Sequence, residues 1–379
     1  MKTPSKITYV LMAILFFIIG TASGFAGFFV YEKITLKSDV LSSGDLSIHF
    51  LELGNNKTGD SVYIKCGEND ILIDAGSENS SASTIINYVD QFVTDNTLEY
   101  VIATHAHEDH IAGFYDESDR TGIFSHYEVE YIIDFPNTNK ENPSATSVLG
   151  KYISARDAEV EAGAKHYTAL ECYNNENGAS RTIELSKNVE LEILYNYYYD
   201  HSYSSGENNF SVCAMINQGE NHYLFTGDLE ESGEKKLVTY YDENHGGLPH
   251  CVVYKAGHHG SGTSSCSELM EAISPEIVCV CACAGTSEYT DNAENQFPYQ
   301  TFIDNVARYT SKIYVTSVVD NYVDKSNWSK EGTVKSMNGN IVVTSKNGKV
   351  EVNCSNNNTI LKETDWFKNN RTWPNYGVT

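Results

Sequence analysis

A cluster of histidines directly after an apolar segment is the feature that most constrains this chain. Residues 100–103 form a short apolar run, typical of a strand buried on both faces, and a polar run follows, Thr104-His105-Ala106-His107-Glu108-Asp109-His110. Imidazole and carboxylate ligands suit zinc, with manganese or iron as alternatives. Because His105 and His107 alternate, they can converge on one ion from an extended loop. Asp109 and His110 are adjacent at the turn into the next helix and face a second ion.

Three further motifs stand at the ends of predicted strands. Asp74 follows the strand 71–73, Gly227-Asp228 follows the strand 223–225, and His258-His259-Gly260-Ser261 follows the strand 252–254. A Gly-Asp pair alone is usually a turn. Here the Gly-Asp pair is informative because it follows the histidine run and precedes His259-Gly260 in the sequence.

These motifs together resemble the metallo-β-lactamase fold superfamily over residues 46–320. The resemblance implies an α/β fold, an αββα sandwich, that binds two divalent metal ions, zinc or alternatively manganese, and hydrolyses its substrate with an activated water. It implies that Asp228 bridges both ions, that His258 orients the substrate or moves a proton, and that Asp74 supports the metal loop through hydrogen bonds. The implied metal ligands are His105, His107, Asp109, His110, Asp228 and His259, and the implied catalytic residues are His258, Asp109 and Asp228.

One element departs from the common pattern of this superfamily. Many members have a third histidine for the first metal before a strand, where this chain has Glu207-Asn208-Asn209-Phe210-Ser211. Together with the stretch 255–261, this element is similar to two branches, the nuclease domain of competence DNA-uptake proteins and the choline-phosphate esterases of the cell wall. Asn208 and Asn209 are therefore predicted to support the metals or the substrate. Lys255 is predicted to neutralise a substrate anion or to form a structural ion pair, and Ser261 to donate a hydroxyl or to form a turn.

The N-terminal segment predicts a membrane location. Residues 7–31 contain no charged side chain, and Lys2 and Lys6 precede them. One helix of this length can span a bilayer, and the positive-inside rule places the N-terminus in the cytoplasm. We therefore predict a transmembrane anchor at 1–31, a linker at 32–44 and an extracellular catalytic domain. A cleaved signal peptide near Gly24-Phe25-Ala26 is the alternative and would make the protein secreted.

The remaining chain predicts one hydrolase domain and a C-terminal addition. Alternating short strands and helices place the hydrolase domain at 45–330. Asn338-Gly339 and Asn347-Gly348 each suit a tight hairpin turn, so 331–379 is predicted to be a β-hairpin extension with a tail that docks on the surface. Cys279, Cys281 and Cys283 alternate on one strand face and are predicted to be buried, small apolar groups.

The charge balance limits the substrate. With 26 Lys and Arg against 51 Asp and Glu, the formal net charge is −25, which argues against a nucleic-acid partner. We expect a small or cell-wall-linked phosphoester to be the substrate, and a membrane to be the other partner through the N-terminal helix. The alternatives are a DNA nuclease of the competence type, a β-lactam or lactone hydrolase, and a binding protein without catalysis.

Overall fold

Two eight-stranded sheets form the centre of this computed structural model, which describes residues 45–201, 206–320 and 334–379. The predicted transmembrane helix at 1–31 and the linker at 32–44 lie outside the described residues. Within those three ranges, none of the helices combines the length and the apolar character that crossing a bilayer requires.

The first sheet begins with six strands in chain order. They are β1 (Leu46–Phe50), β2 (Val62–Cys66), β3 (Asn69–Ile73), β4 (Thr97–Ile102), β5 (Glu128–Asp134) and β6 (Lys165–Thr168). The pairing is antiparallel from β1 to β3 and parallel from β3 to β6. Ile48 lies opposite Ile64, which lies opposite Ile71. Because side chains alternate between faces, this register gives the inner face one continuous apolar row.

The second sheet contains the next eight strands. They are β7 (Thr182–Ser186), β8 (Val189–Ile193), β9 (Ala214–Gln218), β10 (Asn221–Phe225), β11 (Val253–Lys255), β12 (Ile277–Ala284), β13 (Ile313–Val319) and β14 (Val334–Ser336). Strands β10 to β13 are parallel. In β12, Cys279 and Cys281 face the core between the sheets, while Val278 and Val280 face the outer helices. These cysteines are buried thiols, as predicted, and burial raises the pKa of Cys281 to about 12.

The C-terminal strands belong to both sheets. Strands β15 (Ile341–Lys346) and β16 (Lys349–Cys354) form the predicted hairpin, with Asn347 and Gly348 both at positive φ, and β15 pairs with β1 of the first sheet. The hairpin predicted at Asn338-Gly339 is wrong, because β14 pairs with β13 of the second sheet. Asn338 is buried and its side chain accepts a hydrogen bond from the backbone N–H of Val315. This hydrogen bond holds the segment in which the chain passes from the second sheet to the first.

Helices cover the outer face of each sheet. They are α1 (Ser81–Val89), α2 (Glu108–Ile111), α3 (Ile123–His126), α4 (Val148–Ala162), α5 (Ala169–Asn174), α6 (Glu231–His245), α7 (Ser267–Ile273), α8 (Gln300–Val306) and α9 (Asp365–Asn370). Between the sheets, the rings of Phe50 and Phe225 stack with centroids 6.3 Å apart. Ile85 of α1 packs outside the first sheet and Leu269 of α7 outside the second. The arrangement is the predicted αββα sandwich.

The parallel strands determine where polar loops meet. In each sheet, the carboxyl ends of parallel strands lie at one edge, where ligands usually bind in α/β structures. Asp74 follows β3, the histidine run follows β4, Asp228 follows β10 and His259 follows β11. Loops distant in sequence therefore meet at one place.

Candidate metal centre

The loop after β4 holds two imidazole nitrogens at the separation that one shared ion would give. His105 Nε2 lies 3.0 Å from His107 Nδ1. Two nitrogens each about 2.0–2.1 Å from zinc lie about 2.8–3.4 Å apart for angles between square and tetrahedral. His105 is buried, and His107 is half-buried at the N-cap of α2. The pair has the geometry expected of a first metal site.

Asp74 fixes the third histidine of the run. Its Oδ2 lies 2.8 Å from His110 Nδ1 and accepts a hydrogen bond from the Thr104 hydroxyl at 2.7 Å. Its Oδ1 accepts a hydrogen bond from the backbone N–H of Thr104 at 2.8 Å. A carboxylate on Nδ1 of a histidine leaves Nε2 as the atom for a metal. Asp74 thus occupies the supporting position that the sequence predicts for it.

Asp228 lies between the two groups of histidines. Its Oδ2 is 3.1 Å from His110 Nε2, 3.2 Å from His259 Nε2 and 4.0 Å from His105 Nε2. The backbone N–H of Asp228 donates to the Ser211 hydroxyl at 3.0 Å, which holds the loop in place. One carboxylate therefore faces both predicted metal positions.

The two adjacent histidines after β11 point in different directions. His258 and His259 have φ of 46° and 55°, a left-handed conformation that is rare outside glycine and concentrates at functional sites. His259 is buried, with Nε2 3.5 Å from Asp109 Oδ2. The His258 side chain remains 22% exposed, with Nε2 3.9 Å from Asp228 Oδ2. His259 thus lies inside the cluster and His258 at its exposed side, while their roles as metal ligand and substrate contact stay predictions.

Buried polar atoms without hydrogen-bond partners support the fit of divalent metals to this site. Among the described residues, His110 Nε2, His259 Nε2 and Asp228 Oδ1 are buried and form no hydrogen bond. Such atoms are costly unless something satisfies them. Imidazole nitrogen and carboxylate oxygen are zinc and manganese ligands, so the donor set fits the predicted cofactor.

The electrostatics of the site favour a cation. Burial alone would lower the pKa of His110, but Asp228 and Asp74 outweigh it and raise that pKa well above its ordinary value. The pKa of His259 is likewise raised, because Asp228 and Asp60 outweigh its burial. By contrast, burial and the neighbouring His110 lower the pKa of His105 well below its ordinary value. The negative potential that raises the first two values is what a divalent cation would neutralise.

Comparison with known proteins identifies the family. Residues 55–177 match the family model described as the metallo-beta-lactamase superfamily. The chain carries a metallo-β-lactamase superfamily domain. The chain is similar to competence protein ComA of Neisseria gonorrhoeae, with 40% identity over 70 residues, which is 18% of this chain and 10% of that protein. It is also similar to ComE operon protein 3 of Bacillus subtilis, with 22% identity over 219 residues, which is 58% of this chain and 23% of that protein.

Solved structures that are similar to this chain are more distant in sequence. The metallo-β-lactamase fold protein YhfI from Bacillus subtilis has 10% identity and a TM-score of 0.40, over 73% of this chain and 98% of that chain. The predicted superfamily is confirmed, and one of the two relatives is named as a competence protein, which is one of the two predicted branches. The chain spans only a tenth to a quarter of the length of those relatives.

Sequence reasoning missed Asp60 in this metallo-β-lactamase domain. Asp60 is buried before β2 and, with His110, Asp228 and His259, forms a cluster whose potential ligand atoms lie within 4.8 Å of one another. The only sequence signal is an acidic residue after Gly59 at the entrance to an apolar strand. Such a residue is usually read as part of a turn, so the signal is weak.

Four predicted supporting residues make specific local contacts. Asn208 Nδ2 donates to Glu230 Oε1 at 3.2 Å, and Asn209 Oδ1 accepts from the backbone N–H of Glu230 at 3.3 Å. Ser261 accepts a hydrogen bond from the backbone N–H of Thr263, as a turn residue does. The two asparagines thus secure the loop after Asp228. The fourth residue, Lys255, is buried and forms an ion pair with Asp60, the structural alternative predicted for it.

The loop after β12 covers one side of the metal centre. The Tyr289 hydroxyl donates to Asp109 Oδ2 at 3.2 Å, and the ring of Phe297 lies 5.9 Å from that of His259. The C-terminal tail holds this loop from outside. Arg371 donates to the carbonyl of Pro298 at 2.8 Å and to that of Gln296 at 2.5 Å. The tail docks on the domain, as predicted. It stabilises a loop that lies beside the predicted metal positions.

Replacing Arg371 with methionine should therefore destabilise the domain. The two carbonyls would lose their donor in a buried position, which costs about 1–3 kcal/mol for each unsatisfied group. We expect a loss of about 2–4 kcal/mol in urea unfolding. Arg308→Met is the matched control, because Arg308 is exposed and stacks on Tyr376 at 4.4 Å. Equal effects of the two substitutions would show that the carbonyl contacts contribute nothing.

Glu234 makes stability depend on pH near the late His-Gly loop. From α6, its carboxylate accepts hydrogen bonds from the backbone N–H groups of Ser265 and Cys266, both at 2.7 Å. Burial raises the pKa of Glu234 to about 7 from 4.5, against the opposing effect of these two bonds. Since the folded pKa lies above the unfolded one, stability should fall as pH rises from about 4.5 to about 7, by up to about 3 kcal/mol.

The Glu234→Gln variant should lack this part of the pH dependence. Urea unfolding at pH 5 and at pH 8, compared between wild type and variant, isolates the contribution of this one carboxyl group. The variant should be less stable at pH 5, because its amide nitrogen faces a backbone N–H and leaves that donor unpaired. If the stability of the variant changes between pH 5 and pH 8 by as much as that of the wild type, Glu234 is not the group responsible for this pH dependence.

Proposed function

We propose that this domain is a metal-dependent hydrolase of phosphodiesters, acting on a small or cell-wall-linked substrate. The observation that carries the proposal is the position of Asp228 between the pair His105 and His107 and the pair His110 and His259. Two divalent ions at such a centre lower the pKa of a water and polarise phosphoryl oxygens. The match to the metallo-beta-lactamase superfamily supports hydrolysis, and the sequence resemblance to the competence nuclease and choline-phosphate esterase branches supports a phosphodiester as the bond.

His258 is positioned to act on the substrate. Its Nδ1 lies 3.0 Å from the Thr263 hydroxyl, which can donate to it and so leave the proton on Nε2. Nε2 is on the side of Asp228 and reaches the partly exposed mouth of the site. In the proposed reaction, the neutral ring donates a hydrogen bond from this N–H to a phosphoryl oxygen, and the imidazolium form would give its Nε2 proton to the leaving alkoxide and return to the neutral ring.

Charges around the site favour a small substrate. Glu230 Oε1 lies 4.0 Å from His258 Nδ1, and Glu288 is close enough to Asp109 for their charges to repel. Lys140, the nearby cation, donates to the backbone carbonyl of Ala106 between the first two histidines. An acidic rim repels a long polyanion but tolerates one phosphate that contacts two dications. It also accommodates a cationic head group such as choline.

DNA is the second candidate substrate, because one relative is named as a competence protein and the sequence resembles the nuclease domain of competence DNA-uptake proteins. This candidate requires a basic track that leads to the metals. Glu230 and Glu288 lie beside the site, and the Lys140 ammonium near it donates to the carbonyl of Ala106, which is why DNA ranks second.

An activity panel with the full chain tests both candidates. The protein, loaded with zinc or manganese, would be assayed on bis-p-nitrophenyl phosphate, p-nitrophenyl phosphorylcholine, nitrocefin and supercoiled plasmid. We expect turnover of the first two that His107→Ala abolishes and His250→Ala preserves, since His250 is a half-exposed surface histidine. Plasmid cleavage faster than diester turnover would favour DNA. Absence of any turnover dependent on His107 would refute the hydrolase.

We further propose that residues 1–31 anchor the enzyme in the membrane, with its catalytic domain outside the cytoplasm. The uncharged segment at 7–31 after two lysines supports this location. Fractionation and protease digestion of intact cells test it. Recovery of protease-protected protein in the soluble cytoplasmic fraction would contradict the proposal.

A further inference from the structure

A buried ion pair lies directly behind the metal centre. The side chains of Lys255 and Asp60 are 3% and 2% exposed, and they contact each other. The Lys255 ammonium also lies 3.3 Å from the carbonyl of Gly227 and 3.8 Å from Asp228 Oδ1. Removing two charges from water is costly, and such a pair often contributes little net stability. Its location suggests a role other than stability.

Asp60 and Asp228 face opposite edges of the same imidazole rings. Asp60 Oδ1 is 3.1 Å from His259 Nδ1, and Asp60 Oδ2 is 3.8 Å from His110 Nδ1. Asp228 Oδ2, in contrast, is near Nε2 of both rings. The two nitrogens of an imidazole ring point away from each other. An ion bound to Nε2, on the side of Asp228, is therefore separated from the Asp60 carboxylate by the ring itself. Asp60 belongs to the cluster but lies behind the metal positions.

The environment of His259 Nδ1 supports this placement. Besides Asp60, the backbone carbonyl of Cys281 in β12 lies 3.1 Å from this nitrogen. Two oxygen acceptors on one side favour a proton on Nδ1 and leave Nε2 for a metal. Lys255 in turn neutralises Asp60 and contacts Asp228 through Oδ1, so that Asp228 Oδ2 remains directed at the histidines.

We propose that Asp60 and Lys255 are positioning residues that orient His259 and Asp228 for the second metal ion. Asp60 holds His259 with its Nε2 forward, and Lys255 holds both carboxylates in place. The inference rests on the proposed function only in that the site binds two divalent ions. It assigns to Asp60 a role behind the metals and not a coordination bond to them.

The test compares metal binding in the full-length wild type and in the double variant Asp60→Asn/Lys255→Met. The double variant keeps the shapes of both side chains without leaving one buried charge alone. Zinc affinity would be measured by competition with a chromophoric chelator, and the cobalt-loaded forms by absorption. We expect a 10–100-fold weaker second site, a smaller loss at the first site because the two sites share Asp228, and an altered cobalt spectrum, with kcat affected more than KM. Wild-type affinity at both sites in a folded double variant would overturn the proposal.

A second measurement needs no substitution and covers the case in which the double variant does not fold. In zinc-loaded wild type labelled with 15N-histidine, His259 should carry its proton on Nδ1 and bind the metal through Nε2. Binding through Nδ1 would overturn the proposal. If wild type binds two ions with this tautomer but hydrolyses no phosphodiester, the proposed function fails while the positioning role stands.

Discussion

The Asp228→Asn variant should lose bound metal and nearly all hydrolytic activity while it remains folded. Asp228 Oδ2 lies within 4.0 Å of Nε2 of four histidines, and three of these are predicted metal ligands, so it is the group that both ions would share. Despite its burial, His110 and His259 hold the pKa of Asp228 well below its ordinary value, and it is an anion at neutral pH. The amide of asparagine has the same shape but no charge to offset two dications. We expect metal affinity to fall by at least about 100-fold.

Metal content after gel filtration and initial rates on a phosphodiester would check this prediction. Asp90→Asn is a matched control, because Asp90 is a half-exposed acid whose carboxylate pairs with His126 on the surface. It should retain both metals and full activity. A metal-replete Asp228→Asn protein would contradict the bridging position.

Substitutions at the two adjacent histidines should have different consequences. His259→Ala should remove one metal ion, because His259 Nε2 is buried beside Asp228 and Asp109. His258→Gln should keep both ions, because His258 is the partly exposed member of the pair. Its kcat should fall by about 10²–10⁴-fold, the usual contribution of a general acid. The two variants thus distinguish a histidine that binds metal from a histidine that transfers a proton.

Metal stoichiometry and steady-state kinetics of the two variants distinguish these roles. In wild type reloaded with metal, a plot of kcat against pH should fall on both sides of its maximum. In His258→Gln, the fall on one of these sides should be absent. If His258→Gln loses an ion and His259→Ala does not, the assignment of the two histidines is reversed. The geometry around Asp228 would then need a different explanation.

Much of the site could be predicted because its signals are local. The run His105 to His110 follows a buried strand, and the positions of Asp74, Asp228 and His259 at strand ends place them at one edge of the sandwich. The same reasoning gives the αββα fold, since strands and helices alternate in the order that two covered sheets need.

The parts that could not be predicted depend on contacts between distant segments. Asp60 gains its place through Lys255, which comes from the other sheet, and Asp60 itself belongs to none of the motifs that the sequence analysis uses. The C-terminal hairpin was predicted, but its pairing with β1 follows from packing and not from its turn. Asparagine is typical of turns, but the Asn338 side chain instead accepts a hydrogen bond from the backbone N–H of Val315 in a neighbouring strand. Turn propensity alone could not distinguish these two uses.

Anomalous diffraction from crystals of the zinc-loaded full-length protein tests the central claim most directly. We expect two peaks on either side of Asp228 Oδ2, one beside Nε2 of His105 and Nδ1 of His107, the other beside Nε2 of His110, Nε2 of His259 and the Asp109 carboxylate. Asp60 should contact neither ion. The absence of any peak at this site, or one ion held by Asp60 through the Nδ1 edges of the histidines, would contradict it.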